Sequence, residues 1–230
     1  MINKNIFDTT AFNSTLESGE KLIAPFGPIL FQSQIDKSYL NKLVDEGNKL
    51  TLEKNDWREK LAGNMKYGGS YIYNDDFILE SEKYLVPYVE RYFNGLIDRF
   101  GSTMIDKLMN VQVDRRAKKQ GQLRLDTMWI NYQHKHDFNP PHTHSGILSF
   151  VIFCKVPDRI FEEKAITNSE YAGKLIFNHT TTGSALDSEM YPISPYEGLM
   201  FIFPANLTHY VPAFWTDDER ITVSGNFVAV

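Results

Sequence analysis

The sequence contains a single cysteine, Cys154, which excludes an intramolecular disulfide. The presence of only one cysteine also fits a reducing compartment. Because this cysteine lies inside an apolar stretch, we expect it to pack in the core. The first residues lack the apolar segment of a secretory signal, and no apolar run approaches the length that spans a bilayer. We therefore expect a cytoplasmic protein, or one of the host cytoplasm if it is viral, with no membrane partner.

An excess of positive charge is also missing. The formal net charge is -5, so the chain has no global basic field of the kind that attracts nucleic acid, and nucleic acid is not an expected partner. One dense basic run occurs in residues 114–124. We interpret it as a solvated loop, with a patch that steers an anionic substrate as the alternative. Its basic residues are Arg115, Arg116, Lys118, Lys119 and Arg124.

The first half of the chain has helical periodicity. Of the 230 residues 42% are hydrophobic, enough for a sizeable core. Residues 29–34 resemble an edge strand, and Asp36 is a suitable N-cap for a helix that follows it. Residues 80–100 predict a second helix, with Pro87 in its first turn. We treat residues 1–230 as one domain in which residues 1–120 form a mostly helical bracing segment.

The second half is rich in short β-prone runs that alternate with turn residues. Five such runs predict a sandwich or barrel in residues 121–230, with the helices packed against its outer face. The expected fold class is therefore mainly β with a helical N-terminal part. The runs are residues 123–133, 146–156, 173–180, 197–204 and 219–230.

Two histidines, His142 and His144, alternate in the motif PPHTHSG. On a strand, residues i and i+2 point to the same face, so both rings can be directed at one metal ion. Two nitrogen donors leave a first-row metal under-coordinated, and His209 is the candidate for a third. The alternative is that these are ordinary polar histidines of a strand. A second pair, His134 and His136, lies in a polar loop, where no common face is enforced.

An alternating strand begins at Arg220, eleven residues beyond His209. On this strand Arg220, Thr222, Ser224 and Asn226 share a face. An inward arginine with a hydroxyl nearby forms a fork for a carboxylate. An exposed arginine at the edge of a strand is the alternative interpretation.

Together, the HTH motif, the distant His209 and the RIT segment resemble the signature of the non-haem Fe(II)- and 2-oxoglutarate-dependent oxygenases. The resemblance covers roughly residues 124–230, and the segments WIN, HTHSG and RITVSGN are similar more narrowly to phage-type 2OG-Fe(II) oxygenases. It implies a double-stranded β-helix, or jelly roll, braced by α-helices, with Fe(II) and 2-oxoglutarate as cofactors. It also implies a hydroxylase reaction that couples oxidative decarboxylation of 2-oxoglutarate to succinate with C–H oxidation of a substrate.

The resemblance assigns roles to individual residues. It implies that His142 and His209 hold iron and that Arg220 binds the far carboxylate of 2-oxoglutarate, supported by Thr222. A comparable asparagine in related branches lies beside the cofactor, which gives Asn131 the same expected place.

This sequence departs from the family at His144, which stands where the family has Asp or Glu. We interpret His144 as the third ligand of a three-histidine site, which is one unit more positive than the usual site because imidazole is neutral. Two other interpretations remain open. One is a jelly-roll metal-binding or structural module without oxygenase activity. The other is a cupin-type enzyme that uses three histidines without 2-oxoglutarate.

Strand alternation also predicts the walls of the pocket. Trp129, Asn131 and Gln133 share a face that we expect to line it. Leu148, Phe150 and Ile152 continue the parity of the two histidines and are expected to form its apolar wall. Substrate choice is expected to depend on three loops, at residues 133–141, 158–173 and 180–198.

Overall fold

The computed structural model describes residues 13–15, 19–23, 27–53, 56–101, 123–163, 171–179 and 189–229. Within these ranges the chain forms more strand than helix. The helices are α1 Lys37–Leu52, α2 Asp75–Phe100 and α3 Arg159–Glu162, with a 3-10 helix at Arg58–Lys60. The strands are β1 Asn13–Thr15, β2 Lys21–Ile23, β3 Leu30–Gln34, β4 Gly69–Ile72, β5 Leu123–Gln133, β6 Asn139–His142, β7 Leu148–Lys155, β8 Leu175–Asn178, β9 Met190–Ile193, β10 Leu199–Pro204, β11 His209–Val211 and β12 Arg220–Ala229.

The strands form two antiparallel sheets. The larger sheet has eight strands in the order β1-β2-β3-β10-β7-β12-β5-β4, and the smaller has four in the order β6-β11-β8-β9. The inner faces of the two sheets meet in one apolar cluster, as in a sandwich. The larger sheet contributes Leu30, Val151, Phe153, Leu199, Phe201 and Phe203, and the smaller contributes Leu175, Phe177, Ile193 and Val211. This architecture confirms the predicted fold class, and each of the five predicted β runs contains a strand.

The two long helices pack against the outer face of the larger sheet. There they cover alternate residues of its central strands in a second apolar cluster, as the bracing role predicts. The strand residues are Met128, Ile130, Phe150, Ile152, Met200, Ile202, Ile221 and Val223, and the helix residues include Leu40, Leu43, Leu85 and Val89. Cys154 is buried in the same cluster, where it was expected.

The start of α1 is as predicted, but that of α2 is not. Asp36 caps α1, its Oδ1 accepting from Tyr39 N at 2.9 Å. Asn74 caps α2 in the same way, and two acidic residues follow in the first turn. The placement of Pro87 in a first turn is therefore wrong. This proline lies inside α2, because the Asn74 cap starts the helix well before it, and its missing N–H removes one helical hydrogen bond.

The N-terminal part also contributes four strands to the larger sheet. The expectation of an edge strand at residues 29–34 is wrong, because β3 lies between β2 and β10. The strand β4 pairs with β5 and closes the opposite edge. Of the basic run, only Arg124 lies in the described part of the chain, where it pairs with Asp126 at 3.2 Å. No described helix is both long and apolar enough to cross a membrane.

Candidate metal centre and anion site

The three predicted ligand residues lie together at one end of the sandwich. Ring nitrogens of His142, His144 and His209 all lie within 4.8 Å of one another. His142 ends β6 and His209 begins β11, and the two residues are direct partners in the sheet. His144 lies beyond β6, where its backbone N–H donates to Ala205 O at 2.8 Å. Pairing between strands thus places His209 beside the HTH motif although it is distant in sequence.

Backbone carbonyl groups orient two of the rings. His142 Nδ1 lies 2.7 Å from Pro140 O, and His209 Nδ1 lies 2.9 Å from Leu207 O. A carbonyl oxygen can only accept, so in each ring Nδ1 carries the proton and Nε2 keeps its lone pair. Metal-binding histidines are commonly held in this way, with the outer nitrogen donating to an acceptor.

The third ring faces one of these lone pairs. His144 Nε2 lies 3.0 Å from His209 Nε2. Two lone-pair nitrogens at this distance repel each other unless a proton or a cation lies between them. A nitrogen ligand lies about 2.1 Å from a first-row metal ion, so two ligands at a right angle are about 3.0 Å apart. The residues present therefore fit a metal ion held by Nε2 atoms.

Burial keeps these imidazoles neutral. It lowers the pKa of His142, that of His144 to about 4 and that of His209 to about 3, with repulsion from neighbouring histidines adding to the last two shifts. Neutral imidazole is the form that binds a metal ion, so protons compete for these nitrogens only in acid.

Arg220 lies farther along the same cavity, at the start of β12. Its side chain is buried, Nη1 donates to Gln133 Oε1 at 2.9 Å, and the guanidinium lies over the Phe153 ring. The Nε atom has no hydrogen-bond partner among the described residues. Burial lowers the pKa to about 10, which still leaves the group charged at neutral pH. A buried cation with an unpaired donor costs stability on its own and fits a bound anion.

Two polar residues lie between Arg220 and the histidines. Asn131 and Thr222 are partners in the β5–β12 pair, and both are buried. Ser70 Oγ donates to Asn131 Oδ1 at 2.8 Å, and Asn131 Nδ2 lies 3.5 Å from Thr222 Oγ1. The amide of Asn131 is therefore occupied by protein groups, whereas the Thr222 hydroxyl can still donate its proton into the cavity.

The histidines and Arg220 line one cavity of about 250 Å³. Trp129 and Asn131 face it as predicted, and the Trp129 ring is stacked on His144 with their centroids 5.4 Å apart. Gln133 is buried behind the cavity, where it holds Arg220.

The predicted apolar wall of this cavity is wrong for Leu148 and Ile152, whereas Phe150 does line the cavity. Leu148, Phe150 and Ile152 belong to the cluster beneath the helices, whereas Val151 and Phe153 point between the sheets. The alternation does not continue from the histidines into β7, because a bend separates them. Its turning residue is Gly146, which has a φ of +97°. A position with this φ strains any residue that carries a Cβ.

The sequence pattern did not predict a further wall, formed by residues 57–63. Trp57, Lys60 and Leu61 line the cavity near the histidines. This segment reaches the site only because Trp57 N donates to Ser70 O at 2.8 Å beside β4, a long-range contact that no local pattern reveals. A tryptophan within the polar stretch NDWREK was the one available signal.

The second histidine pair stays apart from the cluster, as a loop pair should. His134 Nε2 lies 3.4 Å from Glu219 Oε2. His136 has a φ of +69°, and its ring contacts those of Tyr67 and Trp215. Of the loops expected to select a substrate, residues 164–170 and 180–188 lie outside the described residues.

Comparisons with known proteins agree with this geometry. Residues 127–226 match the model of a family described as "Putative 2OG-Fe(II) oxygenase". No curated protein matches the chain.

Among solved structures, a prolyl-4-hydroxylase from Pseudomonas putida is similar with a TM-score of 0.52 and 11% identity, over 86% of this chain and 91% of that chain. At this identity the likeness shows a shared fold. A viral collagen prolyl hydroxylase from Paramecium Bursaria Chlorella virus-1, in complex with 2OG, has a TM-score of 0.47 and 9% identity over 87% of this chain and 96% of that chain. The non-heme alpha-ketoglutarate-dependent epimerase SnoN has a TM-score of 0.48 and 12% identity over 86% and 78%.

Proposed function

Residues 127–226 match the model of a 2OG-Fe(II) oxygenase family, and from this premise we propose that the protein is a member that acts as a hydroxylase. The reaction would couple oxidative decarboxylation of 2-oxoglutarate to succinate with C–H oxidation of a substrate. One observation carries the proposal: three neutral imidazoles and a buried arginine with an unpaired donor line the same cavity. A structural metal site would need only the first of these two features.

The ligands of the metal would be His142, His144 and His209 through their Nε2 atoms. The carbonyl groups of Pro140 and Leu207 fix the tautomer of two of these rings, so the lone pairs are directed before any metal binds. For His144 the support is the 3.0 Å separation from His209 Nε2, which suits two ligands side by side. A carboxylate is thus not needed to complete a three-ligand set.

The far carboxylate of 2-oxoglutarate would be bound by Arg220. Both Arg220 and Thr222 line the cavity, and the donors that they offer include the Arg220 Nε–H, which has no partner among the described residues, and the Thr222 hydroxyl. Asn131, held by Ser70, would fix the position of Thr222 rather than contact the co-substrate strongly. Gln133 holds Arg220 in place, so the anchor is already formed in the free protein.

When bound, Fe(II) and 2-oxoglutarate would supply electrons that activate dioxygen, which is the oxidant of the reaction. The chain itself supplies position and shelter. The imidazoles stay neutral, those of His142 and His209 carry their protons on Nδ1, and Arg220 would orient the co-substrate along the cavity. Phe203 and Val151 form apolar walls that limit the access of water.

The direct test is production of succinate from 2-oxoglutarate by purified protein with Fe(II) in air, with no added substrate. We expect slow turnover, and none with the His209→Ala variant. Two results would instead support the other interpretations. Tight metal binding without 2-oxoglutarate binding, measured by calorimetry, indicates a structural module, and oxygen consumption independent of 2-oxoglutarate indicates a cupin-type enzyme.

The role of His144 needs its own variants. We expect His144→Ala to lose metal affinity and His144→Asp to restore much of it, because aspartate can supply the missing ligand. Metal affinity is measured by competition with a chromophoric chelator. If His144→Ala binds metal as tightly as the unchanged protein, His144 is not a ligand and only His142 and His209 hold the ion.

A further inference from the structure

Residues 57 to 63, called here the 57–63 segment, form a wall of the cavity that is held in place by contacts with the sheets. Besides the bond from Trp57 to Ser70, an isolated bridge joins Asp56 to Tyr71 just before the segment. Just after it, Asn64 bridges to Phe138. The segment is thus tied to β4 on one side and to the approach to β6 on the other.

The packing within this wall leaves no spare room. A Cβ added at Gly63 would lie 2.5 Å from Asn139 Oδ1 on β6. Arg58 Nη1 donates to Met65 O at 2.8 Å, which fixes the turn that follows. The space between this wall and the histidines is therefore preformed.

The charge that faces this space has one sign. Among the described residues that line the cavity, none is an aspartate or a glutamate, and the cations are Arg220 and Lys60. Arg220 is buried on β12, whereas Lys60 is exposed in the wall. Lys60 forms no ion pair with any described residue, whereas Lys37, Lys42, Lys49, Lys135 and Lys155 do. The charge of Lys60 is thus available to a ligand.

On the proposed function, the charges in the loaded cavity do not cancel. A divalent metal and dianionic 2-oxoglutarate neutralise each other, and the three imidazoles add nothing. Arg220 and Lys60 then leave an excess of positive charge, which an acidic ligand of the metal would otherwise have reduced. Such a field favours a negatively charged ligand.

We propose that the substrate carries an anionic group, a carboxylate or a phosphate, that pairs with Lys60, while Trp57 packs on the adjoining apolar part. This inference rests on the proposed function and deepens it by naming the substrate class. The anchored 57–63 segment, rather than a mobile loop, holds both side chains and so determines specificity.

The test uses protein loaded with zinc, which is redox-inert, and saturated with 2-oxoglutarate. The probes are phenylacetate, phenyl phosphate and the neutral phenylacetamide, with binding measured by ligand-observed NMR. We expect at least one anion to bind about tenfold more tightly than the amide, as one charged hydrogen bond allows. The better of the two anions identifies the group.

Variants of the wall make the assignment specific. Lys60→Met should remove the preference for the anion, and Lys60→Arg should keep it. Lys66→Met is the matched control, because Lys66 lies over the Tyr67 ring outside the cavity lining. Thermal melting of each variant separates loss of binding from loss of folding.

The other outcomes overturn the inference. These are equal binding of the three probes, no measurable binding of either anion, equal losses in Lys60→Met and Lys66→Met, and displacement of 2-oxoglutarate by the anions. Failure of the proposed function is separate and is seen in the unchanged iron-loaded protein, as an absence of 2-oxoglutarate-dependent succinate. If the protein prefers the anion but shows no such turnover, Lys60 contacts a ligand as inferred, and the proposed oxygenase function is wrong.

Discussion

Side chains that alternate along β12 lie in two different surroundings. One set packs beneath the helices and is apolar: Ile221, Val223 and Phe227. The other set lines the cavity and is polar: Arg220, Thr222, Ser224 and Asn226. β5 repeats this division, with Met128, Ile130 and Tyr132 outward and Trp129 and Asn131 inward. At a register shift the pairing passes from Asn226–Thr127 to Phe227–Leu125, and this lets Leu125 of β5 lie on the helix side although Thr127 faces the cavity.

The two faces contribute opposite terms to the free energy of folding. Burial of the outward face removes apolar surface from water and stabilises the fold. The inward face buries a guanidinium and several hydroxyl and amide groups, which cost stability until a ligand satisfies them. Of two neighbouring residues on one strand, the outward one therefore contributes to stability and the inward one to binding. Substitutions on the two faces should have different consequences.

The largest effect is expected for His209→Ala. The change removes a buried ligand at the centre of the cluster and leaves two histidines, so metal affinity should fall at least a hundredfold. The fold should persist, because the ring contributes to the cavity rather than to the core beneath the helices. Metal content after dialysis and the far-UV spectrum measure the two quantities. His134→Ala, in the loop pair, is the control and should retain the metal; equal content in both variants would contradict the assignment.

Arg220→Met should have the next largest effect. Loss of a buried ionic partner is expected to weaken 2-oxoglutarate binding by about 2 to 5 kcal/mol, while metal affinity changes little. The same variant should leave the ligand-free protein as stable as before, or more stable, because a buried and partly unpaired charge is removed. Calorimetry and urea denaturation measure these two quantities.

The control for Arg220 is Arg124→Met, an exposed arginine on β5 that pairs with Asp126. It should bind 2-oxoglutarate normally and unfold at nearly the same urea concentration, since exposed pairs contribute little. If Arg220→Met binds 2-oxoglutarate as well as Arg124→Met does, the anchor lies elsewhere.

The comparison of the two faces also explains what the sequence could predict. The bounds of β5 and the inward set on β12 follow from alternation within one strand, which is local information. The meeting of His209 with the HTH motif depends on sheet pairing, so spacing alone could only suggest it. The resemblance to a family supplied that long-range step.

The wrong predictions involve contacts that no local pattern contains. Leu148 and Ile152 were wrongly assigned to the cavity wall because the bend at Gly146 breaks the alternation between His144 and β7. Pro87 was taken as a helix start because the stronger cap at Asn74 lay in a stretch that reads as a turn. The 57–63 segment was missed because its place depends on β4. The roles of His142, His144 and His209 as metal ligands stay predictions, and so do those of Arg220, Thr222 and Asn131 as cofactor contacts.

A substitution on the outward face should have the opposite effect to Arg220→Met. It should lower the stability of the fold and leave ligand binding nearly unchanged. Ile130 is fully buried beneath the helices, where its side chain meets Gly47 of α1. Ile130→Ala should destabilise the protein by about 2 to 4 kcal/mol through lost burial and a cavity. Affinities for metal and 2-oxoglutarate in the folded protein should be nearly unchanged. A large loss of 2-oxoglutarate affinity in this variant would show that the two faces are coupled.

The smallest expected effect is a dependence of stability on pH. It arises from the buried histidines of the cavity and does not involve the outward face. The folded pKa values of His144 and His209, about 4 and about 3, lie below the ordinary value of 6.5. As the pH falls below 6.5 the unfolded chain binds protons first, so the metal-free protein should lose stability, and the loss should continue until the folded form is protonated near pH 4. The expected change between pH 6.5 and pH 5 is on the order of 1 kcal/mol per histidine.

Urea denaturation in the presence of a chelator measures this slope, with the double variant His144→Gln, His209→Gln as the reference. The variant should show a flatter dependence over the same pH range, because glutamine does not titrate, while Ile130→Ala should keep the slope of the unchanged protein at a lower overall stability. Parallel slopes in the double variant and the unchanged protein would mean that the buried histidines do not carry the acid sensitivity. Saturating metal should raise the stability by a similar amount across this range without flattening the slope, since the folded nitrogens already carry no titrating proton and the loss comes from protonation of the unfolded chain.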